Sequence, residues 1–339
     1  MSSSFYILFI ILYTEKPLYR MIYNSINLKN GYKLSSHRLC IRCYGGFFYS
    51  FSLDCKLYLH RKKGCAMKTK LIFFALAVLV TISCQSEAGW FILSKKDVSV
   101  GTYHTRHAEI FGKYAPAYNK YILQGIDKVQ ATAQDGGGYF TGIKAVPAEA
   151  PIGYTLKLGN RALLDPPRAT SYCSGSSYAA FIEGLNLIFN DSLNFLDSVR
   201  FEALRMQEAD GGRREDHVKF WGWWNADGYG NHFALVQYGK MGEVIKPKDA
   251  RPGDFMNISW KNGLGHSVVF LGWYISRDGN KNVVYWSSQK TTNGMGDQIV
   301  PLGRIKEAMI VRLSTPQNIF AYNVNSPVKT DVKGFEIDW

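Results

Sequence analysis

A single cysteine stands apart in the second part of this chain. Cys173 lies in the stretch SYCSGSSY, and no other cysteine occurs between residues 85 and 339. The small and hydroxyl side chains around it leave room for a substrate to approach the sulfur. A thiol attacks a carbonyl carbon as the thiolate, so it needs a base or a lowered pKa. These features predict a nucleophile at Cys173, and the alternative is a small buried core residue.

The sequence after Cys173 predicts a helix that begins in or next to this residue. Apolar residues recur at helical spacing on one face, namely Phe181, Leu185, Ile188 and Phe189. Thr170 and Ser171 precede them as candidate N-caps. The unpaired amides and the dipole at a helix N-terminus favour an anion. We therefore expect them to lower the pKa of the thiol and to hold an oxyanion.

A thiol nucleophile needs a base, and a histidine is the expected candidate. His266 follows Gly265 and leads the apolar strand 267–272. This position at the rim of a sheet allows the imidazole to face a helix N-terminus. We predict His266 as the base and keep His232 as the reserve.

A polar residue on the next strand is expected to orient the imidazole of His266. The turn signal RDGN at 277–280 predicts a hairpin, and a two-residue turn would place Thr291 or Asn293 opposite His266. Bulges and longer turns shift this pairing by a few residues. The polar candidates are Ser287, Gln289 and Asn293. We predict Gln289, because an amide can hold the imidazole in one tautomer.

Three motifs of the chain occur in an order that resembles a known family. They are Cys-Ser-Gly at 173–175, Pro-Gly-Asp at 252–254 and Gly-His leading the strand 265–275. This order resembles the papain-like cell-wall cysteine peptidases, the NlpC-type endopeptidases and CHAP amidases. The resemblance covers residues 150–300. It implies an α+β fold in which an N-terminal helix carrying the nucleophile packs on an antiparallel sheet, with Cys173 as nucleophile and His266 as base.

The resemblance also implies an activity. We expect an exported thiol hydrolase that cleaves a peptide or amide bond through an acyl-enzyme, with peptidoglycan peptide as the main candidate substrate. We expect no cofactor and no metal. Two alternatives stay open: an exported glycan- or peptide-binding protein with an inert cysteine, and an acyl or glutaminyl transferase using the same pair. Tyr172 stands where the endopeptidases usually have Asp, and Tyr154 is the nearest equivalent of their usual tyrosine.

The elements that must position these residues follow from the hydrophobic pattern. Helices are predicted over 106–133, interrupted or kinked at Pro116, and over 193–208. Short strands are predicted at 139–143 and 154–158, and longer ones in RPGDFMNISW, GHSVVFLGWYI and NVVYWSS. Helices come first and an antiparallel sheet follows, which is an α+β layout.

Two further groups of residues invite a functional interpretation. The loop KFWGWWNADGYGN at 219–231 carries Trp221, Trp223, Trp224 and Tyr229. It is predicted to line a groove for sugars or apolar chains, with a core role as the alternative. His104 and His107 are expected on a solvated helix face. Such a pair could bind a metal, but no third ligand is evident in the sequence.

The first part of the chain predicts export. Met67 is followed by two lysines and then by the apolar run Leu71–Val80. This order is typical of a secretory signal peptide, which is predicted over 67–88. Ile82-Ser83-Cys84 resembles a bacterial lipobox that would place a lipid on Cys84, the one expected membrane contact, and Ser86-Glu87-Ala88 is the alternative cleavage site. The expected location is the periplasm or cell envelope as a lipoprotein, or the medium.

The segment before Met67 is interpreted as a non-native upstream extension over 1–66. The alternatives are a real segment followed by an internal anchor, and a zinc site at Cys40, Cys43, Cys55 and Cys65. Residues 89–149 are predicted as an N-terminal lead and helical segment, and 150–339 as the catalytic domain.

The charge distribution argues against nucleic acid as a partner. The formal net charge is +13, but residues 1–66 hold 10 basic and 2 acidic residues, and Lys68 and Lys70 add two more. Residues 85–339 therefore carry 28 basic and 25 acidic residues, a net charge of +3. A nearly neutral main region does not provide the basic surface of a nucleic-acid binder.

Overall fold

The computed structural model describes residues 89–146, 149–165, 168–205, 230–327 and 333–339, with only short strands before residue 89. The chain divides into two units, Met1–Glu87 and Ala88–Trp339. The strands of the first unit are Ile22–Tyr23, Ile26–Asn27, Lys33–Leu34, His37–Arg42 and Phe48–Leu53. The signal peptide with Cys84, and the side chains of the four-cysteine interpretation, lie outside the described residues.

The second unit opens with three helices, α1 (Lys95–Val98), α2 (His107–Phe111) and α3 (Asn119–Ala131). A 3-10 turn, Gly112–Tyr114, follows α2, and Pro116 lies between it and α3. Proline cannot donate a backbone hydrogen bond and clashes with the preceding turn. The predicted interruption at Pro116 is therefore confirmed. Among the described residues, no helix is long and apolar enough to span a bilayer.

A small hairpin leads to the central helix. Strands β1 (Leu156–Leu158) and β2 (Arg161–Leu164) pair antiparallel, and α4 (Cys173–Phe189) follows. Every residue of α4 from Cys173 to Leu185 is buried, because α3 packs on one side and the sheet on the other. A helix covered on both sides carries apolar or small residues around most of its circumference. This explains the alanines and serines of α4.

Two shorter helices precede the sheet. Helix α5 (Ser198–Leu204) is capped by the Asp197 carboxylate, which accepts from the Arg200 N–H, and α6 is Gly230–Gln237. The helix predicted over 193–208 is shorter in the structure. Its first part is the 3-10 helix Asn190–Phe195, and residues 206–208 are outside the described ones.

A six-stranded antiparallel sheet forms the other layer. Its strands are β3 (Gly242–Val244), β4 (Phe255–Trp260), β5 (Gly265–Ile275), β6 (Lys281–Gln289), β7 (Gly294–Pro301) and β8 (Ile305–Leu313). Their spatial order is β7–β6–β5–β4–β8–β3. The predicted α+β class, with a helix that begins at Cys173 and packs on an antiparallel sheet, is confirmed. The strand predicted at 139–143 is wrong, since Gly142–Lys144 is a 3-10 turn.

The two faces of the sheet belong to different cores. On β5, Val269 and Leu271 join the core shared with α4, whereas Val268 and Phe270 join a second core on the opposite face. Successive side chains of a strand point to opposite faces. The second core is closed by the packed side chains of Trp90 and Trp339. This alternation decides which polar residues can reach the N-terminus of α4.

Candidate active site

Cys173 is the first residue of α4, as predicted. The residue before it, Tyr172, is the N-cap in extended conformation, and its side chain makes no capping hydrogen bond. The predicted caps are wrong, because Ser171 Oγ lies 2.7 Å from Ser288 Oγ instead. The first amides of a helix have no intrahelical partner. An uncapped N-terminus therefore leaves N–H groups beside the sulfur.

A close backbone contact places this helix start. A Cβ atom on Gly175 would lie 2.4 Å from the carbonyl oxygens of both Ala150 and Pro151. The segment before β1 therefore touches the first turn of α4, and only glycine fits there. The Tyr172 N–H also donates to the Pro151 carbonyl, at 2.9 Å.

The thiol of Cys173 is buried and protonated at rest. Burial raises its pKa to about 11. Hydrogen bonds from the backbone N–H groups of Ser267 and Ser174 and from the Tyr172 hydroxyl act in the opposite direction and lower it. Cys173 is only 6% exposed. The expectation that the helix N-terminus gives a low pKa is wrong, because loss of hydration outweighs the amides.

Two tyrosines that were not predicted as site residues lie at this thiol. The rings of Tyr139 and Tyr172 stack, with centroids 5.8 Å apart, and the backbone at Tyr139 pairs with that at Ser171. Tyr139 is far away in the sequence, so no spacing signal could have indicated it. Tyr154 does not reach the site, because its hydroxyl bonds Glu183 Oε1 at 3.4 Å, ten residues further along α4.

His266 and Gln289 meet as predicted. His266 Nε2 lies 3.3 Å from Gln289 Oε1. The loop between β5 and β6 is longer than a two-residue turn, since Ile275 pairs with Lys281, and a bulge between Phe270 and Gly272 shifts the register once more. Of the other candidates, Ser287 Oγ donates to the Ser267 carbonyl at 2.6 Å, and Asn293 is exposed.

The contacts of Gln289 determine the tautomer of His266. The Gln289 amide nitrogen donates to Thr292 Oγ1 at 2.6 Å and to the Gly296 carbonyl at 3.2 Å. A carbonyl can only accept, so the amide oxygen must face His266, and Nε2 donates to it. Nδ1 then carries the lone pair, and no hydrogen bond from the described residues reaches it. The ring is therefore prepared to accept a proton at Nδ1.

The imidazole of His266 is neutral at physiological pH. Burial lowers its pKa to about 4, and the hydrogen bond to Gln289 opposes this shift. The ring packs between Trp260 and Tyr285, with centroid distances of 6.2 and 5.5 Å. An apolar enclosure disfavours the imidazolium, so proton uptake needs a compensating negative charge nearby.

The Cys173 thiol contacts the residue that follows His266 on β5 but is not bonded to the imidazole. Cys173 is next to the Ser267 amide, yet within the described residues no hydrogen bond joins its sulfur to His266. The alternation of β5 explains this: His266 is in phase with Val268 and Phe270 of the second core, and Ser267 faces α4.

The reserve base His232 occupies the α4 side of the sheet. Its Nε2 lies 2.8 Å from Ser267 Oγ, and Ser267 Oγ lies 2.7 Å from Ser177 Oγ, one turn along α4 from Cys173. His232 is completely buried, which lowers its pKa to about 3. It is therefore a neutral member of a buried hydroxyl network.

Other predicted features cannot be placed beside the thiol. The Trp-rich loop, with Trp221, Trp223, Trp224 and Tyr229, lies outside the described residues.

Comparisons with protein-family models, curated proteins and solved structures find no significant match for this chain. The function is therefore inferred from the geometry at Cys173 and His266.

Proposed function

We propose that this protein is an exported thiol hydrolase that cleaves a peptide or amide bond, with Cys173 as nucleophile and His266 as base. The observation that carries the proposal is that a helix N-terminus at Cys173 and a hydrogen-bonded imidazole at His266 are both already in place. An uncapped helix begins at Cys173, and an imidazole is held by Gln289 with Nδ1 ready to accept. The papain-like arrangement implied by the motif order is part of this proposal.

The mechanism follows from these groups. As Cys173 Sγ attacks the carbonyl carbon, its proton passes to His266 Nδ1, and the first amides of α4 stabilise the oxyanion. The imidazolium then protonates the leaving amine, and the C–N bond breaks. Water, deprotonated by His266, hydrolyses the thioester and restores the thiol. Catalytic hydrogen bonds are often long without substrate and tighten when it binds, which fits the separated thiol and imidazole.

The proposed substrate is a peptidoglycan peptide. Support comes from the order of the Cys-Ser-Gly, Pro-Gly-Asp and Gly-His motifs and from the export signal at 67–88. The stacked rings of Tyr139 and Tyr172 offer an apolar wall beside the sulfur. A transferase would use the same acyl-enzyme and differ in releasing it to an amine.

The test is digestion of peptidoglycan by the purified protein, with mass spectrometry of the soluble products. We expect fragments with new free amino and carboxyl ends, and none with Cys173→Ala or His266→Ala, because nucleophile and base act as a unit. The control is Thr291→Ala, an exposed residue that a shorter turn would have placed opposite His266. It should retain full activity.

A second candidate is a binding protein with an inert thiol. It is favoured by the raised pKa of Cys173 and by the missing bond to His266. The same experiment separates the two. A binding protein co-sediments with peptidoglycan, releases no fragments and is unaffected by Cys173→Ala, and this result would refute the hydrolase.

A further inference from the structure

A cluster of two histidines and one carboxylate lies apart from Cys173. His104, His107 and Asp297 each offer a ligand atom, and these atoms lie within 4.8 Å of one another. Asp297 belongs to β7, almost 200 residues from the histidines, so the fold supplies the third ligand that was not evident in the sequence. The expectation of solvated histidines is wrong, since the His104 and His107 side chains are 7% and 0% exposed.

His107 is held in the orientation of a metal ligand. Asp127 Oδ1 accepts from the His107 backbone N–H and lies 2.7 Å from Nδ1, and Oδ2 accepts from the Ala108 N–H. A carboxylate with these donors keeps a proton on Nδ1, which leaves Nε2 to face Asp297 Oδ1 at 2.9 Å. A carboxylate behind a histidine in this manner is the usual outer contact of a metal-bound imidazole.

His104 completes the cluster from the same side. Its Nε2 lies 3.1 Å from Asp297 Oδ2, and its Nδ1 accepts from the Arg106 N–H at 3.2 Å. The rings of His104 and His107 stack, with centroids 4.1 Å apart, so both Nε2 atoms point to one carboxylate. A metal bound here displaces the protons between nitrogen and oxygen to solvent. His104 then carries its proton on Nδ1 and gives up the hydrogen bond that this nitrogen accepts from the Arg106 N–H.

We propose that His104, His107 and Asp297 bind one divalent transition-metal ion, of which Zn²⁺ fits best. Two imidazoles and a carboxylate are ligands that Zn²⁺ prefers, with bonds of about 2.0–2.2 Å. Ligand atoms of a tetrahedral site with these bonds are about 3.3–3.5 Å apart. His107 Nε2 lies 2.9 Å from Asp297 Oδ1 and His104 Nε2 lies 3.1 Å from Asp297 Oδ2, so each nitrogen must move slightly away from the carboxylate, and the three ligand atoms lie within 4.8 Å of one another. Asp297 is 15% exposed, which gives a fourth position for water.

The metal would fasten the N-terminal segment to the edge of the sheet. The Asp297 N–H donates to the Thr102 carbonyl at 2.9 Å, and the Tyr103 hydroxyl donates to the Thr292 carbonyl at 2.7 Å. The neighbouring Gly296 carbonyl is the one that accepts from Gln289. The site therefore supports the part of β7 that holds Gln289, the residue that orients His266.

The experiment measures metal binding directly. The purified full chain is stripped with a chelator and titrated with ZnCl₂ by calorimetry, and Co²⁺ replaces Zn²⁺ to record the visible spectrum of the site. We expect one ion per chain, the absorption of four-coordinate Co²⁺ and a higher melting temperature. Asp297→Asn should weaken binding at least tenfold and abolish the Co²⁺ spectrum. The control Asp191→Asn removes an exposed carboxylate and should bind like the unchanged protein.

A second variant shows whether loss of metal binding is due to loss of a ligand or to misfolding. His104→Gln keeps an acceptor and removes a metal ligand, so it should lose the Co²⁺ spectrum while remaining folded by circular dichroism. The proposal is overturned if the unchanged protein binds no stoichiometric Zn²⁺, or if Asp297→Asn and His104→Gln bind it as tightly as Asp191→Asn. The cluster would then be a purely hydrogen-bonded contact between the segment and the sheet.

Discussion

At the scale of single residues, Gln289 has the clearest role. It combines two donated hydrogen bonds with one accepted from His266, so its amide cannot turn without losing contacts. A neutral amide fixes the tautomer without charging the ring, and the apolar enclosure then keeps the pKa of His266 near 4. The base therefore stays unprotonated through the whole neutral range.

Replacing this amide by a carboxylate should raise the pKa of His266. In Gln289→Glu, a negative charge about as close to Nε2 as the present 3.3 Å stabilises the imidazolium, and the expected rise is about 1–3 pH units. An NMR titration of the imidazole measures it. The acid limb of any activity should move to higher pH by the same amount.

The matched control places a carboxylate on the same segment but in solvent. Thr291→Glu, at an exposed position, should leave the pKa of His266 nearly unchanged. Equal pKa values in the Gln289→Glu variant and the unchanged protein would show that the two side chains are not in contact in solution.

At the scale of elements, the position of Cys173 depends on the crossing of α3 and α4. Their backbones approach closely at Gly125, where a Cβ atom would lie 2.6 Å from the Ala180 carbonyl oxygen and 3.1 Å from the Gly184 nitrogen. Backbone atoms inside a helix cannot move aside as a flexible side chain can. The crossing therefore requires glycine at this position and holds α4 against the sheet.

Gly125→Ala should destabilise the fold by about 1–3 kcal/mol, the usual cost of overpacking. Urea unfolding followed by circular dichroism gives the free energy of unfolding. Gly112→Ala is the control, because nothing lies within 4 Å of its added Cβ and its φ is −60°. It should be neutral or slightly stabilising. A Gly125→Ala variant as stable as this control would contradict the close crossing.

At the scale of the whole molecule, the division of the chain coincides with the predicted end of the signal peptide. The units separate at Glu87 and Ala88, and the sequence pattern predicts export through 67–88. The basic excess lies before residue 71, so the main unit is nearly neutral. Folding of Ala88–Trp339 is therefore expected to be independent of residues 1–66.

Expression from Met67 should give the same folded, exported protein as the full chain. The thermal midpoint and the yield in the exported fraction are the measurements, and mass spectrometry of the mature N-terminus distinguishes lipid on Cys84 from an unmodified start. Loss of cooperative unfolding in the shorter protein would show that residues 1–66 take part in the fold.

Local sequence patterns determined much of this architecture. The periodicity after Cys173, the break at Pro116 and the alternating strands after residue 250 predict the helix, the interruption and the sheet, because these depend on neighbouring residues. The contact of His266 with Gln289 was also predictable, since one hairpin joins their strands. The sequence did not determine the exact register between these two strands, because the loop length and the bulge at Phe270 depend on packing.

Only the tertiary structure decided which groups share a face and how they ionise. A strand alternates its side chains, so the register that joins His266 to Gln289 also places His266 in phase with the second core. The raised pKa of Cys173 comes from burial by distant segments, which no local pattern contains. Asp297 joins His104 and His107 for the same reason: contacts between residues remote in sequence exist only after the chain has folded.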